Sequence, residues 1–216
     1  MLQQISKAKR VRVHHFAEWQ GRQRSLLGEI LIRYLACRNL KLKNRDIIIE
    51  SDRYGKPHVK NNRDFQFNIS HSGDWVAGVV DTRPVGIDIQ EKRPCNFDIV
   101  KRFFSKSETE DFSKLNEPEK RDYFYDLWTL KESYIKKTGK GFSMLLNSFT
   151  LRKKRKNYHL ISSTIAEKGF FKIYDVFPKY KIAVCACNKL FPKQIKLLDL
   201  KDLFNHPFLK KATSPD

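Results

Sequence analysis

No run of apolar residues here approaches the roughly 18–20 needed to cross a bilayer; stretches such as Ile30 to Ile32 and Val76 to Val80 are far too short. That excludes a membrane-spanning helix. The first ten residues, MLQQISKAKR, carry no apolar core of a leader, so a secretory signal is not expected. Cysteine is sparse, with four in 216 residues, and that usage predicts reduced thiols in a cytoplasm. Cys185 and Cys187 share a strand face, but no second Cys or His pair of suitable spacing lies near them, which excludes a structural zinc site. There is no P-loop, no GxGxxG and no HExxH. Low-complexity segments and short-period repeats are missing too. With 40% apolar, 12% aromatic and 31% charged residues, the chain is long enough to bury a core without staples.

Acid is also in short supply. Asp and Glu number 24 against 43 Lys and Arg, a net charge of +19. Such a surface draws polyanions: nucleic acid, anionic membrane, phosphorylated small molecules or acidic proteins. The densest basic run, Arg152 to Lys156, lies between two expected strands and has no interleaved aromatic residues for base stacking. It reads as a charged hairpin.

Residues 1–15 are basic and weakly periodic. Leu27, Ile30, Leu31, Tyr34 and Leu35 recur at helical spacing and predict a helix over 18–38. Strands are expected over 46–50, 65–69, 75–80 and 84–90, with turns at 54–57 and 70–74. Asn96 and Ser105 can cap two short helices. Asn116, with Pro118 just inside, starts a long helix that Gly139 and Gly141 end. Strand-like runs near 145–151, 158–163, 170–177 and 181–187 precede a polar tail. This order predicts an α+β fold of two halves, 1–83 and 84–216.

Several residues could carry chemistry, each with a plainer rival. Asp88 shares a strand face with Gly86 and Gln90 and suits a hard cation, or it ends the strand near solvent. Glu132 and Lys136 are one helical turn apart, the spacing of an ordinary surface pair. Lys131, however, falls on the apolar stripe of that helix (Phe124, Leu127, Trp128, Ile135), and a lysine there wants an anion. Glu108 could be a general base, but Ser105-x-x-Glu108 is also a capping box. Ser70 and His71 lie in an expected turn before Gly73, which would let a phosphate approach closely. Lys56 tips a second turn, and Lys9 and Arg12 sit in the basic N-terminal segment.

Taken in order, YGKPHV (54–59), FNISHSGDWV (67–76), VGIDIQ (85–90), KRFFSKSE (101–108) and FYDLWTLKESYIKKTGKGF (124–142) resemble the 4′-phosphopantetheinyl transferases, specifically the larger surfactin-synthetase-activating (Sfp-like) type. The likeness runs from about Ile5 to about Pro192, and the pairing of VGID with WTLKES is its most specific part. The resemblance implies a monomer of two similar, pseudo-twofold α+β halves with coenzyme A between them. It implies magnesium-dependent transfer of 4′-phosphopantetheine to a serine of an apo carrier protein, releasing 3′,5′-ADP. Asp88 and Glu132, with Gln90 beside them, would hold magnesium. Glu108 would be the base, and Lys136 would stabilise the pyrophosphate. Lys9, Arg12, Ser25, Lys56, Ser70 and His71 would hold coenzyme A, while Lys131 and Trp128 support the site. The carrier would dock on 94–104 and 112–115; neither nucleic acid nor membrane is an implied partner.

Two departures stand out. Gln90 occupies a place where the family often has a second acid, and the chain starts later than most members of this type. They leave open a degenerate relative that binds coenzyme A or carrier without catalysis, which magnesium-linked coenzyme A binding would tell apart. A basic nucleic-acid binder would instead show steep salt-dependent DNA binding that survives loss of Asp88.

Overall fold

The computed structural model describes residues 2–14, 18–155, 157–163 and 167–209. Helix α1 (Lys7–His14) leads to α2 (Trp19–Leu40), which ends where Lys41 turns left-handed at φ 59°. Two antiparallel hairpins follow, β1 (Ile49–Ser51) with β2 (Pro57–Val59), and β3 (Gln66–Ser72) with β4 (Trp75–Asp81). β5 (Gly86–Glu91) opens the second half. Next come α3 (Val100–Phe103), α4 (Lys106–Ser113) and α5 (Glu117–Thr138). β6 (Phe149–Lys154), β7 (Asn157–Ser163), β8 (Phe170–Tyr174) and β9 (Tyr180–Ala186) complete a five-stranded antiparallel sheet in the order β5-β9-β8-β7-β6. A last helix, α6 (Leu200–Asn205), closes the described chain.

The fold is α+β, and the expected caps are present. Asn96 accepts from Asp98 N. Ser105–Glu108 and Asn116–Glu119 are both reciprocal capping boxes, and Gly139 ends α5 at φ 73°. Residues 152–155 do lie at a hairpin, with Lys154 opposite Asn157, and Lys156 falls outside the described residues.

Three expectations are corrected. Ser70 and His71 do not lie in a turn: β3 continues through Ser72, and only Gly73 and Asp74 separate it from β4. Residues 145–148 are a short 3-10 turn before β6 rather than strand. The polar tail folds back, with Leu203 and Leu209 buried against Ile5, Leu26, Ile30 and Tyr34 of the first half. Apolar residues spaced thinly along a charged segment carry no clear period, so nothing local marks this strap.

Each half is built on one 22-residue helix, α2 or α5. Their strand layers are unequal, two hairpins against five strands. A shared apolar layer joins them: Val85, Ile87, Ile89, Tyr180 and Ile182 of the second half pack with Trp75, Ala77 and Val79 of the first. Trp75 stacks on Phe177 at a centroid distance of 4.2 Å.

β5 reaches α5 very closely at Gly86. A Cβ there would collide with the Ser133 carbonyl oxygen and the Lys137 amide nitrogen, both backbone atoms of α5. The glycine of VGID thus sets the strand–helix distance, and with it the separation of Asp88 from Glu132 and Lys136. Gly86→Ala should cost about 3 kcal/mol, the upper end of overpacking penalties, because backbone cannot swing aside. Thermal unfolding reads this directly; an unchanged melting temperature would mean that α5 steps back freely.

Candidate functional site

Where β3, β5 and α5 meet, polar groups converge. Asp88 is 1% exposed on β5. Its Oδ1 accepts from Ser70 Oγ at 2.8 Å and from Lys136 Nζ at 2.5 Å, and its Oδ2 accepts from Gln90 Nε2 at 3.0 Å. Lys136 Nζ also donates to Ser70 Oγ at 2.9 Å. The two-residue period of β5 puts Gly86, Asp88 and Gln90 on the face that meets α5, and the helical period of α5 puts Trp128, Glu132 and Lys136 on one stripe.

Glu132 is half-buried beside this cluster. Burial first, then the negative charge of Asp88, raises its carboxyl above the usual value, with Lys136 opposing. Among the described residues no hydrogen bond or ion pair reaches its carboxylate. Two carboxylates that repel one another, one unpartnered, mark a place that a cation fits. With the amide of Gln90 able to turn its oxygen inward, the donor set is all oxygen, as magnesium requires. Among the described residues no three His, Cys, Asp or Glu side chains converge to hold a metal, because position 90 supplies an amide rather than an acid. Glu91 does not replace it; it pairs with Arg93 on the other strand face.

Positive groups rim the cluster. The pKa of His71 is lowered, first by burial of the imidazole and then by Arg24 and Lys136, while Asp88 opposes. Arg24, on α2, donates to the Gly73 carbonyl at 3.3 Å. No sequence signal singles out Arg24, because a basic residue among many on a helix carries no local mark. Ser25 follows it on α2, half-buried, and Lys9 is half-buried on α1. Arg12 lies on α1 as well, but its side chain falls outside the described residues.

A Cβ added at Gly73 would collide with Tyr180 Oη and would sit 2.8 Å from Glu91 Oε2, so the close neighbour is the second half of the chain.

The 4′-phosphopantetheinyl transferase superfamily matches residues 84–185, and the description 4′-phosphopantetheinyl transferase, N-terminal, matches 1–83. The chain is 40% identical over 200 residues to the 4′-phosphopantetheinyl transferase Sfp of Bacillus subtilis, covering 92% of this chain and 89% of that one. It is 38% identical over 204 residues to the 4′-phosphopantetheinyl transferase psf-1 of Bacillus pumilus, covering 93% and 87%.

The chain belongs to the 4′-phosphopantetheinyl transferase superfamily.

The transferase does not bring every expected residue to the cluster. Glu108 is 1% exposed and fully engaged. Its Oε2 accepts from Ser105 N at 2.8 Å and pairs with Lys131 Nζ at 2.8 Å, and its Oε1 accepts from Leu151 N at 2.7 Å. Lys131, with no exposed side-chain surface, also donates to the carbonyls of Leu146 and Phe149 at 2.9 and 2.6 Å. Burial lowers its pKa and Glu108 opposes. The capping box is thus part of a buried ion pair binding α4, α5 and β6 together. In this arrangement the Glu108 carboxylate is spent on the cap, the ion pair and the β6 backbone.

Lys56 is likewise drawn elsewhere. Its Nζ donates to Lys137 O at 3.0 Å and Val85 O at 3.4 Å, placing a cation against the C-terminal end of α5. Burial lowers its pKa. Trp128 stacks on Phe124 and meets Phe103 edge-on, beside the segment expected to receive a carrier.

A cavity of about 690 Å³ lies apart from all of these groups, between β7 and β8, and is lined by Tyr158, Phe171 and Lys181 among others. The four cysteines are free thiols, and no described helix is long and apolar enough to cross a membrane.

Proposed function

We propose that this transferase moves 4′-phosphopantetheine from coenzyme A to a serine of an apo carrier protein, as a monomer in the cytoplasm, with magnesium. The observation that carries the reading is the convergence of Asp88, Gln90, Glu132 and Lys136 where β3, β5 and α5 meet. Asp88, Gln90 and Glu132 would hold the magnesium ion, which when bound neutralises charge on the pyrophosphate. Lys136 supplies a second positive charge where the leaving 3′,5′-ADP gains its negative charge. Arg24 and His71, with Ser25, Lys9 and Arg12 on the neighbouring helices, receive the remaining phosphates. Of Asp88, Glu108 and Glu132, only Glu132 is not fully buried, and it would be the acid open to take the serine proton. Glu108 and Lys131 hold the surface of 94–104 and 112–115 in shape for an acidic carrier, which the +19 charge attracts.

Coenzyme A binding should depend on pH through His71. Its pKa is lowered in the free protein, so near neutrality the ring is uncharged. A phosphate beside it favours the charged form and raises that pKa, so binding takes up a proton and strengthens as pH falls from about 8 towards 6. Calorimetry in buffers of different ionisation heat should find this uptake in the parent and lose it in His71→Gln. An equal pH slope in both proteins would remove His71 from the phosphate site.

The deciding test is the intact mass of an apo carrier protein after incubation with this protein, coenzyme A and magnesium, against an EDTA control. One added phosphopantetheine group, absent with EDTA, is the expected result. No gain on several carriers by folded protein would favour the non-catalytic relative.

A further inference from the structure

β5 is hydrogen-bonded to β9 along one edge only. Its other edge faces β3, which is already paired with β4 and belongs to a separate two-stranded sheet. No backbone ladder joins β3 to β5. The amides of Ile87, Ile89 and Glu91 along that edge would be left without acceptors, and each buried orphan costs about 1–3 kcal/mol. They are satisfied by side chains instead. Ile87 N donates to Asn68 Oδ1 at 2.9 Å, Ile89 N to Ser70 Oγ at 3.3 Å and Glu91 N to Ser72 Oγ at 3.0 Å. Asn68, Ser70 and Ser72 alternate along β3, so one face of that strand is a row of short acceptors matched to the free edge of β5.

The first two of these bonds fall on either side of Asp88. Asn68 and Ser70 are both buried, at 7% and 6% exposure. The Ser70 hydroxyl accepts from Ile89 N and Lys136 Nζ and donates its proton to Asp88 Oδ1, which uses its one donor and both lone pairs. Asn68 touches none of the groups of the cleft; it acts on the backbone next to Asp88.

We propose that Asn68 and Ser70 are positioning residues that clamp the β5 backbone on both sides of Asp88, so that the first half of the chain sets where the metal-holding carboxylate of the second half sits. The proposal rests on Asp88, Gln90 and Glu132 as the magnesium site.

The test compares Asn68→Ala, Ser70→Ala and Ser70→Thr with Ser72→Ala, which removes the same kind of edge bond but at Glu91, away from Asp88. Circular dichroism at the assay temperature gives the folded fraction of each. Carrier transfer gives kcat and the magnesium concentration for half-maximal rate. Electron paramagnetic resonance reads manganese binding to the coenzyme A complex, and calorimetry without metal reads coenzyme A affinity. Asn68→Ala and Ser70→Ala should each lower kcat and weaken manganese binding by about 10- to 100-fold, the range for residues that orient a metal ligand. The coenzyme A affinity of Asn68→Ala should stay within about twofold of the parent, while Ser70→Thr recovers most of the loss of Ser70→Ala and Ser72→Ala shows little. Asn68→Ala and Ser72→Ala behaving alike would reduce the clamp to edge stabilisation and overturn the proposal. So would an Asn68→Ala that loses coenzyme A affinity in step with kcat while its metal need is unchanged, since that is a ligand's signature. Where Asn68→Ala does not fold, the Ser70 pair decides the matter. Magnesium-dependent transfer by the parent, measured first, separates failure of the clamp from failure of the site reading.

Discussion

Asp88→Asn should leave a folded protein that transfers essentially nothing. The amide keeps the shape of the side chain and can still bond Ser70 and Gln90, so the β5–α5 contact survives. What goes is the charge. Lys136 loses its ion-pair partner, but it is 27% exposed and stays hydrated, so the stability cost is about 1 kcal/mol. The cleft keeps one carboxylate, Glu132, against the charge of a magnesium ion and a pyrophosphate. Losing a metal's anionic ligand together with the electrostatic setting of Lys136 should lower kcat by about a thousandfold. A second readout is independent of turnover. The charge of Asp88 helps to raise the Glu132 pKa, so in Asp88→Asn that pKa should fall, which carboxyl-selective NMR can follow. Wild-type transfer by the variant would sink the metal-site assignment; an unmoved Glu132 would mean that the two acids do not face one another.

Glu108→Gln should fail in the opposite way, by melting. Removing the carboxylate leaves the Lys131 ammonium in a site with no exposed side-chain surface and no anion, beside the Leu146 and Phe149 carbonyls and the Phe149 ring. Breaking a buried pair at one end costs about 3–5 kcal/mol. In a chain of this length that lowers the melting temperature by about 10 °C. The deficit should also depend on pH. In the folded protein burial already holds the Lys131 pKa below its ordinary value, and without Glu108 it falls further. The unfolded chain then binds more protons than the folded one across the alkaline range below the ordinary lysine value, so stability rises with pH there. The deficit of Glu108→Gln should therefore shrink as pH climbs from neutrality towards about 10, because Lys131 sheds its proton and no longer needs a partner. Turnover per folded molecule should stay near the parent value. A variant that melts normally but does not turn over would return Glu108 to the part of a base.

These two acids show what a sequence can and cannot say. Ser105-x-x-Glu108 announces a helix start, and the start is there, because a capping box closes within four residues. The same holds for Asn116, for Gly139 and for the charged hairpin at 152–155. The order of strands and helices, and the motifs on which the family likeness rests, are local in the same sense. So the α+β class, the family and the stripe carrying Glu132 and Lys136 are all legible in the amino-acid sequence itself.

What Glu108 does is not local. Its partner Lys131 stands on another helix, and the sequence marks that lysine only as a misfit on an apolar stripe. Ser70, His71 and Lys56 fall in segments with the composition of turns, and turns expose such residues to a phosphate. Ser70 and His71 instead lie within a strand, and Ser70 and Lys56 give their hydrogen bonds to the other half of the chain. Arg24 and the Asn68–Ser70–Ser72 row carry no local signal, since which backbone a row of small acceptors meets depends on how two separate sheets come together. Short-range order follows from capping geometry and side-chain period, which are written within a few residues. The partner of a buried polar group is chosen by burial itself, and the tertiary structure alone decides which distant groups are shut in with it.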